Sequence, residues 1–92
     1  MIKYAILVTY SDNDDLRVST RPKHREFLKQ MLDEGKLHES GPYTDDSGAL
    51  MIYNGASREE VEAIFAQDPF NITGGSIESA TIMEWNRVFP AE

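Results

Sequence analysis

The chain opens on a pattern of period two. Residues 2–10, IKYAILVTY, alternate between two faces and are rich in β-branched and aromatic side chains, which predicts a strand. The next ten residues, SDNDDLRVST, are polar and predict a loop. From residue 21 the period becomes helical. His24, Phe27, Leu28 and Met31 fall at i, i+3, i+4 and i+7, a single buried stripe. Ser19 or Thr20 is placed to cap this helix, Pro22 suits its first turn and Gly35 closes it, so the spacing predicts a helix over 21–35. KLHESGPYT, residues 36–44, predicts a second strand broken near Gly41-Pro42. DDSG is turn chemistry, and ALMIYNG, residues 49–55, predicts a third strand. Ser57 and Glu60 have capping-box spacing and open a second helix that runs to about Gln67. Pro69 turns Asp68 away from helical geometry. NITGGS is a loop, and IESATIMEWNRVF, residues 77–89, predicts the last strand.

The order β-α-β-β-α-β predicts an α+β chain with the ferredoxin-like fold: a four-stranded antiparallel sheet with both helices on one face, in a single domain over residues 1–92. Strands one and three are central in that topology, and both are apolar on two faces. Helices cover only one of them. A sheet with one wet face alternates cleanly, and this one does not. The second face is therefore expected to be covered by another copy of the chain, in a homodimer or a higher assembly.

Charge and composition remove several function classes. With 9 Lys+Arg against 16 Asp+Glu, the formal net charge is -7. Binding to a nucleic-acid backbone or an anionic membrane surface needs a basic stripe, so neither partner is expected. There is no cysteine for a disulfide or thiolate. The apolar start is too short and too alternating for a signal peptide, and no run reaches membrane-spanning length; the reading is a cytoplasmic protein. Two histidines and scattered carboxylates lack zinc spacing, DNDD at 12–15 lacks the rest of a calcium loop, and TGGS lacks the lysine of a phosphate loop. No metal and no cofactor is expected.

One constellation carries chemistry. His24 lies on the buried stripe of the first predicted helix, at its first turn. Asp68 continues the stripe Val61, Ile64, Phe65 of the second. The two helices run antiparallel in this topology, so the start of one lies beside the end of the other and His24 approaches Asp68. Tyr10, at the end of the first strand, and Ser40-Gly41-Pro42 lie at the same rim. A helix N-terminus disfavours imidazolium and a carboxylate favours it, which suits proton exchange near neutral pH. A carboxylate at a helix C-terminus opposes the dipole, and a hydrogen bond to His24 would compensate it. Asp68 would then orient the ring and leave its other nitrogen for substrate. The plainer readings are a core histidine satisfied by a carbonyl, an Asx-type turn before Pro69, a strand break at Gly41-Pro42 and packing for Tyr43, Tyr53 and Trp85.

RPKH at 21–24, EGKLHESGP at 34–42 and DPF at 68–70, in this order, resemble the YCII-related (YciI-like) family. The resemblance spans nearly the whole chain. It implies a dimeric α+β barrel and a His-Asp site, carried here by His24 and Asp68. Tyr10, Arg21, Ser40, Gly41, Pro42 and Phe70 are the candidate substrate contacts beside them. The acidic 11–20 segment and His38, in place of a small or apolar residue, depart from the family pattern. The wider superfamily includes isomerases, lyases and cofactor-free oxygenases. The expectation is an enzyme that moves protons on a small cyclic or aromatic hydroxy or keto compound, by isomerisation or elimination. Its rivals are a non-catalytic dimeric small-molecule binder and a cofactor-free oxygenase.

Overall fold

The structure is a computed structural model that describes residues 2–90. Four strands, β1 (Ile2–Tyr10), β2 (Leu37–Pro42), β3 (Gly48–Gly55) and β4 (Ile77–Trp85), form one antiparallel sheet in the order β2-β3-β1-β4. Helix α1 (Asp14–Asp33) connects β1 to β2, while α2 (Arg58–Ala66) and the short α3 (Pro69–Thr73) connect β3 to β4. This is the ferredoxin-like α+β arrangement, with the two apolar strands at the centre. Tyr4, Ile6 and Val8 of β1 and Met51 and Tyr53 of β3 point to one face. Met31 and Leu37 close the core beside them and Val61 descends from α2, with Phe27, Leu28, Ile64 and Phe65 packed around.

The first helix begins a full two turns earlier than its apolar stripe. Residues 14–20, expected as loop, are helical, and Asn13 rather than Ser19 or Thr20 is the N-cap: its side chain accepts from Leu16 N at 3.2 Å. The inward positions of those turns are Arg17 and Thr20, each 6% exposed, so the stripe is real but polar and invisible to a hydrophobicity pattern. Pro22 sits inside the helix rather than in its first turn. Its missing N–H would have served the carbonyl of Val18, an exposed residue that water reaches. Gly35, at φ 77°, follows the helix end as expected.

Three further expectations change. β2 is not broken at Gly41-Pro42: Gly41 pairs with Leu50 and Pro42 with Ala49, and the irregularity falls between Leu37 and Glu39. Pro42 ends an edge strand, where its missing N–H costs no ladder bond. The expected loop after Asp68 starts with α3. β4 stops at Trp85, and Arg87 leaves the sheet to bond His38 Nε2 at 2.9 Å. On the face away from the helices, Leu7, Leu50, Met83 and Trp85 are exposed. Among the described residues, no helix is long and apolar enough to cross a membrane.

Candidate active site

His24 lies in the middle of α1, not at its first turn, so the helix N-terminus does not act on it. Its inward position brings the ring against α3. Asp68 is the N-cap of α3 and not the last-turn residue of α2: one carboxylate oxygen, Oδ1, accepts from Phe70 N at 2.9 Å and from His24 Nδ1 at 2.8 Å. The helix dipole therefore favours Asp68 instead of opposing it, since a carboxylate capping a helix start is stabilised there. Asp68 is fully buried and His24 is 8% exposed. Oδ2 is buried without a hydrogen-bond partner among the described residues. A buried carboxylate needs such partners to remain charged.

Phe70, two residues on, stacks on the imidazole with centroids 4.0 Å apart and planes 12° apart. Tyr10 meets Phe70 edge-on at 6.1 Å. With Nδ1 engaged by Asp68 and one ring face covered, Nε2 is the nitrogen left for a ligand. His24 lines a cavity of about 230 Å³. Tyr10, Arg21, Ser40, Gly41, Pro42 and Phe70, all singled out from the sequence, line this cavity with His24. Asp68 stands behind the histidine and does not line it. His38 is not at the cavity either; it holds Arg87.

Sequence reasoning missed the rest of the wall: Arg25 and Leu28 on α1, Ala49 and Met51 on β3, and Asp46 in the β2–β3 turn. It also missed Arg17. This buried guanidinium donates to Asp14 at 2.9 Å and to Asp46 at 3.0 Å, and its Cζ lies 4.7 Å from the centre of the Tyr10 ring. It ties the turn to α1 and backs the tyrosine. The spacing Arg17, Thr20, His24 was the available signal. Burial raises the Tyr10 phenol above its usual pKa against the opposing pull of Arg17, which keeps it a neutral donor. Deeper in the core, the Tyr53 phenol is raised further, by burial first and then by the charge of Asp68. No group of three or more His, Asp or Glu side chains suited to a metal ion gathers among the described residues.

The YCII-related domain matches residues 2–86. The chain belongs to that family. Within it, this YCII-related chain is similar to the uncharacterized protein YjpA of Bacillus subtilis, at 36% identity over 62 residues, which is 67% of this chain and 71% of the relative. Among solved structures, it is similar to 5-chloro-2-hydroxyhydroquinone dehydrochlorinase from Burkholderia phenoliruptrix, in complex with 2,5-dihydroxybenzoquinone: TM-score 0.78, 21% identity, 91% of this chain and 93% of the other covered. A hypothetical protein of Pyrococcus horikoshii matches over 100% of both chains at TM-score 0.50 and 12% identity. At these identities the solved structures speak for the fold.

Proposed function

We propose that the cavity beside His24 is the active site of a small enzyme that moves protons on a cyclic or aromatic hydroxy or keto compound, by isomerisation or elimination, without a metal or organic cofactor. The observation that carries this reading is the 2.8 Å bond between the buried Asp68 and Nδ1 of His24, a histidine that lines the cavity. An Nδ1–H that donates to a carboxylate leaves Nε2 as a lone-pair base. Nε2 takes a proton from a substrate hydroxyl, or from carbon beside a carbonyl. The electron pair released moves into the ring or the carbonyl. Asp68 holds the imidazole in orientation and stabilises the imidazolium formed. The imidazolium then returns the proton to a different atom, or a leaving group departs.

Tyr10, Ser40 and the Gly41 backbone would hold substrate oxygens, Arg21 would flank them, and Pro42 and Phe70 would supply apolar walls. The dehydrochlorinase of the same fold acts, by its name, on a chlorinated hydroxyhydroquinone. Loss of hydrogen chloride from such a ring is an elimination that acid–base groups drive, which supports this substrate class. The working form would be a cytoplasmic homodimer, the second copy covering the exposed Leu7, Leu50, Met83 and Trp85.

The test is proton exchange at carbon. Incubated in D₂O with hydroxylated quinones and cyclic keto compounds, the protein is expected to incorporate deuterium into substrate C–H positions, followed by proton NMR. His24→Ala is expected to lower the rate about 100- to 10,000-fold, the usual contribution of a general base. Full exchange by His24→Ala would overturn the mechanism. The burial of both His24 and Asp68 supports one rival reading, a binding module in which the pair clamps α1 to α3. That reading expects no exchange with any compound, and a loss of stability as the sole effect of His24→Ala.

A further inference from the structure

Two guanidinium groups stand at the cavity without a carboxylate to neutralise them. Arg21 and Arg25 are four residues apart on α1, so both lie on the face that carries His24, and both line the cavity. Like charges at this spacing repel, so the local helix gains nothing from the pair. The chain carries 16 acidic side chains against 9 basic ones, and carboxylates are therefore in surplus. Four other basic residues use them: Arg17 holds Asp14 and Asp46, Lys29 holds Asp33, Lys36 holds Glu34 and Arg58 holds Glu62, while Lys23, which does not line the cavity, makes no such bond among the described residues. Among the described residues, neither Arg21 nor Arg25 makes such a bond. The acidic side chain at the cavity wall, Asp46, is already engaged by Arg17 at 3.0 Å. The remaining polar lining, Tyr10 and Ser40, is neutral. A cavity with two uncommitted positive charges is a site that favours an anion, on a chain whose formal net charge is -7.

We infer that Arg21 and Arg25 form a receptor for a planar anionic oxygen group on the substrate. The inference rests on the reading of this cavity as the active site and narrows it: the substrate is an anion, carrying a carboxylate or an ionised ring hydroxyl, and not a neutral phenol or ketone. Guanidinium presents its donors as a planar fork that matches such a group, where an ammonium would act as a point charge. The chemistry gains from the placement. Removal of a proton by His24 raises the negative charge on the substrate, and the two arginines face that charge while Asp68 faces the imidazolium. Arg21 and Tyr10 line the same cavity, so guanidinium and phenol are both available to substrate oxygens there.

The test uses three probes against isotope-labelled protein, read from the His24 ring resonances and by calorimetry. Gentisate carries a carboxylate, gentisamide is its uncharged counterpart, and 2,5-dihydroxybenzoquinone carries ionised ring oxygens at neutral pH. At least one anion is expected to shift His24 and to bind roughly tenfold or more tighter than gentisamide, the ratio that one charge-assisted hydrogen bond supplies. Arg21→Gln and Arg25→Gln are each expected to weaken that anion about tenfold and to weaken gentisamide by a clearly smaller factor, with the fold checked by circular dichroism. Preference for gentisate assigns the anion to a carboxylate, preference for the quinone to a ring oxyanion. If all three probes shift His24 with equal affinity, and the glutamine variants bind as the parent does, the anion receptor is overturned while the cavity remains a binding site. If none shifts His24, both the receptor and the active-site reading fall.

Discussion

Asp68 concentrates three tasks in one side chain. It caps α3, fixes the His24 ring and sits in the core with no exposure. Asn keeps the shape and an acceptor oxygen for both donors, but loses the charge that stabilises imidazolium in the proposed mechanism. Asp68→Asn is therefore expected to lower kcat about 100-fold or more and to change unfolding free energy by only about 1 kcal/mol, measured by steady-state kinetics and denaturant titration. A stability loss of several kcal/mol with kcat intact would assign the pair to structure alone. Tyr53 is a second residue with a readable consequence. Its hydroxyl is buried without a partner, and its pKa lies above the usual 10 because of burial and then Asp68. The unfolded chain releases this proton near pH 10, whereas the folded chain holds it. Stability is thus intact below that pH and falls as pH rises through it, by about 1.4 kcal/mol for each further unit from this group. Tyr4 and Tyr10, also raised by burial, act in the same direction. Tyr53→Phe is expected to flatten the alkaline fall in melting temperature and to leave stability at pH 7 unchanged or slightly higher; an unaltered alkaline limb would refute this account.

At the scale of the elements, the β2–β3 hairpin carries the wall of the cavity, and its geometry depends on one glycine. A β-carbon at Gly48 would run into the carbonyl oxygen of Val8 and press on Tyr43, because β3 starts where it passes closest to β1. Backbone cannot yield as a flexible side chain does. Gly48→Ala is expected to cost at least about 3 kcal/mol, the upper end for overpacking. Gly41, on β2, has open space around it, and Gly41→Ala is expected to stay within about 0.5 kcal/mol. Thermal denaturation of the two variants separates them, and equal melting temperatures would contradict the close approach. In the same hairpin Asp46 takes a left-handed conformation at φ 61° and offers its carboxylate to Arg17. The turn was legible as a turn from DDSG, yet which of its acids would meet α1 was not.

For the whole molecule, the exposed apolar side chains on one sheet face bear on the proposed dimer. Leu7, Leu50, Met83 and Trp85 lie on the side of the central strands opposite the helices. Large exposed apolar patches suit interaction surfaces. As part of the proposed homodimer, sedimentation at micromolar concentration is expected to give twice the mass of the chain. Leu7→Glu is expected to give the monomer, and the emission of the single tryptophan, Trp85, to shift to the red. A wild-type monomer would remove the dimer from the proposal.

Local patterning along the chain settles the alternation of strand and helix, the central place of β1 and β3 and the inward stripes of α1 and α2. These follow from side-chain periodicity, which is local and records which face is buried. The stripe of α1 also carries His24 inward, whereas Asp68, beyond the end of α2, reaches it as the cap of α3. Where α1 begins depends on packing, because Arg17 and Thr20 face inward for partners that arrive from distant segments. Asp46 and Tyr10 make that position hospitable to a guanidinium, and no local pattern encodes them. The role of Asp68 as the cap of α3 was likewise decided in three dimensions. The cavity wall was completed there too, by α1, both strands of the hairpin and the start of α3, which meet at one rim although they are far apart along the chain.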